Sequence, residues 1–209
     1  IIVLVVMKFS GPSTSSTPVT NVDTTPVVPT SQTTKVSEKL SEYKNDELGF
    51  QVKYPTLWEK AEAPANVTFF APTTDAKDKN TLGKLEAKID ISSGKCAFPP
   101  VTTIKERDTL KSGSLSFNMI SMSNTVQGRT YFNRMYSLQR DSICYYFTFS
   151  AITLSPSTKG YSGVEAQKIG STNTLMVDTA DSQFKDMVKS FAYVVGPEGK
   201  DESQVTPKK

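Results

Sequence analysis

Residues 11–34 read GPSTSSTPVTNVDTTPVVPTSQTT, and of these 24 residues 4 are Ser, 8 are Thr and 4 are Pro. The stretch shows neither a 3.6-residue nor a 2-residue apolar period. Such a segment cannot bury enough surface to offset the entropy of ordering it. Its prolines favour extended polyproline II conformations, so residues 10–34 are expected to be a disordered stalk. A compact fold must therefore be built from the residues after Thr34.

Ahead of the stalk stands IIVLVVMKF, seven apolar residues and then Lys8. Crossing a bilayer takes about 20 apolar residues. Residues 1–9 are therefore expected to be the end of a truncated transmembrane or signal-anchor segment. An apolar stub joined to a Ser/Thr/Pro stalk describes a domain held off the extracytoplasmic side of a membrane. The chain ends in GPEGKDESQVTPKK, residues 196–209, a second polar segment expected to be disordered. The folded domain is then residues 35–195, which explains why only 37% of the whole chain is hydrophobic.

The sequence contains no histidine. That removes the commonest general base at neutral pH and the commonest transition-metal ligand. It excludes a Ser-His-Asp hydrolase, and with two cysteines it excludes a Cys/His zinc site. The net charge of +3 is spread among acidic residues, without the basic stripe and interleaved aromatics of a nucleic-acid surface. No metal or cofactor is expected.

Most of the domain alternates apolar and polar residues with period 2. In GFQVKYP, Phe50, Val52 and Tyr54 share one face, and Pro55 ends the strand. Trp58 is then expected to pack over the sheet edge or core. KLEAKIDIS sends Leu85, Ala87, Ile89 and Ile91 inward. SLSFNMISM alternates through Leu115, Phe117 and Met119, then shifts parity to Ile120 and Met122, which predicts a bulge near Met119–Ile120. Turns at 123–128 and at Asp141–Ser142 link this strand to RTYFNRMYSLQR and ICYYFTFSAIT, giving an antiparallel meander. A helix is predicted where Val177, Ala180, Phe184, Met187, Val188 and Phe191 recur every 3–4 residues, capped by Asp178 or Thr179. A second helix is predicted over 101–110, with Thr103 and Glu106 as a capping box.

The two ends of the domain carry a resemblance. Tyr43, Asn45, Gly49, Phe50, Tyr54, Pro55 and Trp58 match a Y-x-N-x-x-x-G-F-x-x-x-Y-P-x-x-W pattern, and Phe184, Val188 and Phe191 match a closing helix-plus-Phe pattern. This arrangement resembles the PsbP/Mog1-like domains of bacterial exported and membrane-anchored proteins, over roughly Glu42–Val195. The resemblance implies an α+β fold, a central antiparallel β-sheet with flanking helices. It also implies an accessory or binding role, with a protein or envelope component as partner, rather than catalysis.

Other constellations have two readings each. Cys96 and Cys144 are the only cysteines. Outside the cytoplasm they can form a disulfide; otherwise Cys144 is a small core residue and the two thiols are unrelated. Ser92–Lys95 matches S-x-x-K, Ser116–Asn118 matches S-x-N, and Lys111–Gly113 resembles the K-[ST]-G of penicillin-recognising enzymes. Against an envelope hydrolase with Ser92 as nucleophile and Lys95 as base, the last two patterns run in reverse order and Ser92 comes at the end of a strand. Asp75, Asp78 and Asn80 offer oxygens to Ca²⁺ but lack the glycine and distal glutamate of an EF-hand loop, which favours a solvated turn. Tyr161, between Gly160 and Gly163, is either a partner contact or a ring folded back over the core. A small-ligand or metal-binding site between sheet and helix is the alternative to partner binding.

Overall fold

The computed structural model describes residues 39–73, 81–100 and 104–194. The stub, the stalk, the Asp75–Asn80 turn, Thr103 and the tail lie outside the described residues. Among the described residues, ten strands and one long helix are arranged as two antiparallel sheets with the helix packed against them. The small sheet has the order β1 (Leu40–Asn45), β2 (Phe50–Pro55), β10 (Ala192–Tyr193). The large sheet has the order β3-β4-β5-β9-β8-β7-β6. Its strands are β3 (Glu59–Ala63), β4 (Asn66–Phe70), β5 (Leu82–Ser93), β6 (Ile104–Ser112), β7 (Leu115–Val126), β8 (Arg129–Arg140) and β9 (Ile143–Leu154). Helix α1 runs from Gly163 to Lys189.

The alternation read from the sequence places the core. One face of the large sheet carries Leu85, Ala87 and Ile89 of β5 and Phe147, Phe149 and Ala151 of β9, all buried. Against it α1 sets Ala180, Phe184, Met187 and Val188. Phe149 and Phe184 stack with centroids 5.7 Å apart, and Tyr136 of β8 meets Phe184 at 5.7 Å in a tilted pair. Beyond the helix end, Phe191 wedges between Phe147 at 5.3 Å and Phe50 of the small sheet at 5.9 Å. This ring cluster joins the two sheets and the helix in one core, and the Phe50 and Phe191 positions of the sequence pattern meet inside it.

β7, β8 and β9 form the expected meander. The β7–β8 turn uses Gln127 and Gly128, both with positive φ (51° and 72°), the backbone hand that matches the twist of a hairpin. A Cβ at Gly128 would also run into Oγ1 of Thr158, in the short 3-10 turn Pro156–Lys159. Gly128→Ala is expected to cost about 2 kcal/mol, from φ strain and that collision. The midpoint of urea unfolding measures it.

Three local expectations are corrected. Residues 104–112 are strand β6, not a helix: the only two apolar residues there, Ile104 and Leu110, give a helix little to bury, whereas pairing with β7 satisfies the backbone from Ile104↔Met122 to Ser112↔Leu115. Glu106 caps no helix; its carboxylate accepts from the Ser121 hydroxyl at 3.3 Å. The bulge is not at Met119–Ile120, where β7 keeps its register with both neighbours; the irregularity lies in β6 between Ile104 and Glu106. Met119 and Ile120 change parity because both faces are covered there, and both side chains are buried. Finally, α1 begins fourteen residues before Val177, and it is the only α-helix among the described residues.

The outer face of the large sheet, away from α1, explains the buried Cys144. After β5 the chain must reach β6 on the far side of β9, β8 and β7. Residues 94–100 begin that crossing over β9. A disulfide joins Cys96 to Cys144, with Cα atoms 5.2 Å apart. The Cys96 N–H donates to Oε1 of Gln139 at 2.6 Å, and the Ala97 N–H donates to the Tyr146 hydroxyl at 2.8 Å. The Tyr146 hydroxyl in turn donates to the Ala97 carbonyl at 2.9 Å. A disulfide and three hydrogen bonds thus pin a strap to the face opposite the helix.

Candidate functional site

α1 is longer than its core contacts require. Its buried residues fall on one stripe, Ile169, Asn173, Ala180, Phe184, Met187 and Val188. The C-terminal half fills the core, while the N-terminal half leans over the ends of β8 and β9. Among the described residues, two clefts open along the middle of the helix.

The first cleft lies over Trp58 and has a volume of about 280 Å³. The Trp58 backbone N–H donates to the Pro55 carbonyl at 2.9 Å, a turn that throws the ring back across the sheet. Its indole Nε1–H donates to Oε1 of Gln183 on α1 at 3.2 Å. The ring is therefore buried and oriented, as the Y-P-x-x-W spacing implied. Two leucines flank the cleft, Leu57 at 74% and Leu175 at 67% exposed. This wall is apolar and carries no charged residue.

The second cleft has a volume of about 360 Å³ and a different chemistry. Its floor is apolar, from Phe132, Ala151, Leu154 and Val177. Its rim is polar, from hydroxyls on Ser123, Thr130, Thr153, Ser155 and Thr174 and from the carboxylate of Asp178. No lysine or arginine lines it. Asn173 enters from α1, 5% exposed, beside Thr81 at 0%. The amide donates to Thr81 Oγ1 at 3.0 Å and accepts from the same hydroxyl at 3.4 Å. An amide has two donor hydrogens and two acceptor lone pairs. Among the described residues, Thr81 takes one donor and one acceptor site of this buried, cleft-lining side chain and leaves one of each. Gly170 forms part of the wall, and a Cβ added there would meet nothing within 4 Å. A glycine inside a helix costs about 0.5–1 kcal/mol relative to alanine, so Gly170→Ala is expected to raise stability by about that amount in thermal or urea unfolding.

Below the second cleft, Arg134 of β8 donates to Asp181 of α1 at 2.5 Å and approaches Glu106 of β6 at 3.8 Å. Its guanidinium also lies 5.6 Å from the Phe132 ring. Among the described residues, Nε of Arg134 and Oδ1 of Asp181 are buried without a hydrogen-bond partner. Burial pushes the Asp181 carboxyl up, against the opposing pull of Arg134.

The residues singled out in the sequence are dispersed. Ser92 is the next-to-last residue of β5, on the outer face opposite Cys144. Lys111 and Ser116 face each other across the β6–β7 hairpin. Ser92 is four strand spacings from β6, at about 4.8 Å each. The three parts of a Ser/Lys hydrolase site are therefore not brought together. Tyr161 lies half-exposed between the 3-10 turn and α1, its N–H donating to the Pro156 carbonyl at 3.2 Å. Among the described residues no group of three or more Cys, Asp or Glu side chains is placed to hold a metal, and no helix is long and apolar enough to cross a membrane.

No family model and no curated protein sequence matches the chain. Among solved structures it is similar to a crystal structure from Bacteroides thetaiotaomicron, at 12% identity and TM-score 0.46, over 76% of this chain and 49% of that one. The chain thus spans about half the length of that protein. It is also similar to cyanobacterial PsbP (CyanoP) from Synechocystis sp. PCC 6803, at 12% identity and TM-score 0.42, over 75% of this chain and 93% of that one. A third similar structure is LpqN, involved in cell envelope biogenesis of Mycobacterium tuberculosis, at 12% identity and TM-score 0.33, over 64% and 87% of the two chains. The α+β fold with antiparallel sheets is the one implied by the resemblance that the two ends of the domain carry.

Proposed function

We propose that the chain is a non-catalytic, membrane-anchored domain that works outside the cytoplasm and binds a protein partner or an envelope component. The observation that carries this reading is the Cys96–Cys144 disulfide. Such bonds form and persist in oxidising compartments and are rare where thiols are kept reduced. The apolar stub and the Ser/Thr/Pro stalk support the same placement. The distance of Ser92 from the Lys111–Ser116 pair, three to four strands away, supports the non-catalytic reading over a Ser/Lys hydrolase. Exposed Leu57 and Leu175, and Tyr161 at the start of α1, are the proposed contact residues.

The test uses the native host and the full-length protein tagged at its C-terminus. Alkylation of intact cells before lysis reports the thiols, and crosslinking with subsequent mass spectrometry reports the partner. Blocked thiols in the membrane fraction, with one dominant crosslinked complex, are expected. Freely alkylated cysteines would sink the extracytoplasmic placement. A second reading, small-ligand binding between sheet and helix, is favoured by one observation: the buried Asn173 amide with spare hydrogen-bonding capacity in the second cleft. Oxidised thiols without an enriched partner would favour it over the first.

A further inference from the structure

The geometry points to the second cleft as a binding site for a neutral sugar unit, an inference that rests on the small-ligand reading and names its ligand class. The volume of about 360 Å³ falls within the range of small-molecule sites, about 300–1,000 Å³. The charge of the lining selects against anions: Asp178 is its only charged residue, and no cation is there to hold a phosphate or a carboxylate. A wholly apolar ligand is selected against too. It would leave the Asn173 amide, 5% exposed, with its remaining donor and acceptor unmet, and unmet buried polar groups are costly. A sugar hydroxyl both donates and accepts, which is what that amide lacks. The C–H face of a sugar ring suits the floor of Phe132 and Val177, while the rim hydroxyls and Asp178 meet its edge. The floor is stiffly held: Phe132 packs on Phe149 at 6.1 Å and its ring is flanked by the Arg134 guanidinium at 5.6 Å. Gly170 leaves open the wall that any larger residue would fill.

The experiment titrates the full ¹⁵N-labelled chain with glucose, galactose, mannose, N-acetylglucosamine and maltose, with glucosamine as a cationic probe and cyclohexanol as an apolar one. The expected result is a saturable shift of the Asn173 side-chain amide and the Gly170 backbone amide with at least one neutral sugar. Gly170→Leu, which fills the open wall without opening a cavity in the core, is expected to weaken that binding at least tenfold while leaving the thermal midpoint at or above that of the parent chain. Saturable shifts at these two amides with glucosamine or cyclohexanol alone would overturn the sugar assignment and keep the cleft as a ligand site. No saturable shift there with any probe overturns both the sugar assignment and the small-ligand reading on which it rests. Sugar binding that Gly170→Leu leaves unchanged places the sugar elsewhere and overturns the inference.

Discussion

Cys96→Ser is expected to lower the thermal midpoint of the domain by roughly 10 °C. The disulfide closes a 48-residue separation, and constraining a loop of that size in the unfolded chain stabilises by about 4 kcal/mol on the chain-entropy model. For a domain of this size each kcal/mol moves the midpoint by about 2–4 °C. The loop spans β6, β7, β8 and the strap, so the bond also keeps the crossing segment on the outer face. Cys96 is the better residue to replace, because Cys144 is fully buried and a serine there adds a buried hydroxyl to the effect. Calorimetry of the parent chain, of Cys96→Ser, and of the parent chain with a reducing agent should give one common lowered midpoint for the last two. A change under about 2 °C would mean that the strap is held by Gln139 and Tyr146, with the bond adding little.

The strands that proved legible are those whose two faces meet different surroundings. β5 and β9 have one face under α1 and the other open or strapped, so Leu85 to Ile91 and Tyr145 to Ala151 alternate cleanly. β6 was not legible because it is an edge strand, with Lys105, Glu106, Arg107 and Asp108 exposed. Charges along an unpaired edge discourage pairing with other chains, and the same charges read locally as a helix surface. Positions 119–121 misled for the opposite reason: both faces are buried, so parity carries no information there. The first half of α1 escaped because it buries only Ile169 and Asn173, and an asparagine on the buried stripe reads as a break in the pattern. The second cleft escaped for a related reason. Its hydroxyls come from β7, β8, β9, the loop after β9 and α1, and no linear spacing unites Ser123, Thr153 and Thr174. Of the individual side chains to which the sequence pattern gave a position, Trp58, Leu85 and Ala180 reach the first cleft.

Arg134→Met is expected to cost about 3 kcal/mol, whereas the double replacement Arg134→Met with Asp181→Leu is expected to be near neutral. Removing one partner of a mostly buried ion pair leaves the other charge desolvated, which costs about 3–5 kcal/mol, while replacing both by apolar residues of similar volume removes the penalty with the attraction. The lower end of that range applies because the two side chains keep 20% and 14% of their exposure. The unpartnered Nε and Oδ1 show that the pair is incompletely satisfied even when intact. The pH dependence has the same origin. Burial raises the Asp181 carboxyl above its ordinary value of 3.8, more than Arg134 lowers it. A carboxyl raised on folding binds its proton more tightly in the native state. Its contribution to stability is therefore fully present below about pH 3.8 and is lost as pH rises through the folded value. In the parent chain, stability attributable to Asp181 should fall with rising pH across that window, and Asp181→Asn should flatten that limb. In Arg134→Met the carboxyl loses its opposing cation, so the limb should steepen and extend to higher pH. Urea midpoints of the four proteins from about pH 3.5 to 7, on the scale where one pKa unit is about 1.4 kcal/mol, separate the cases. If Arg134→Met and Asp181→Asn shift the limb in the same direction, the charge on Asp181 is set by solvent rather than by burial beneath α1.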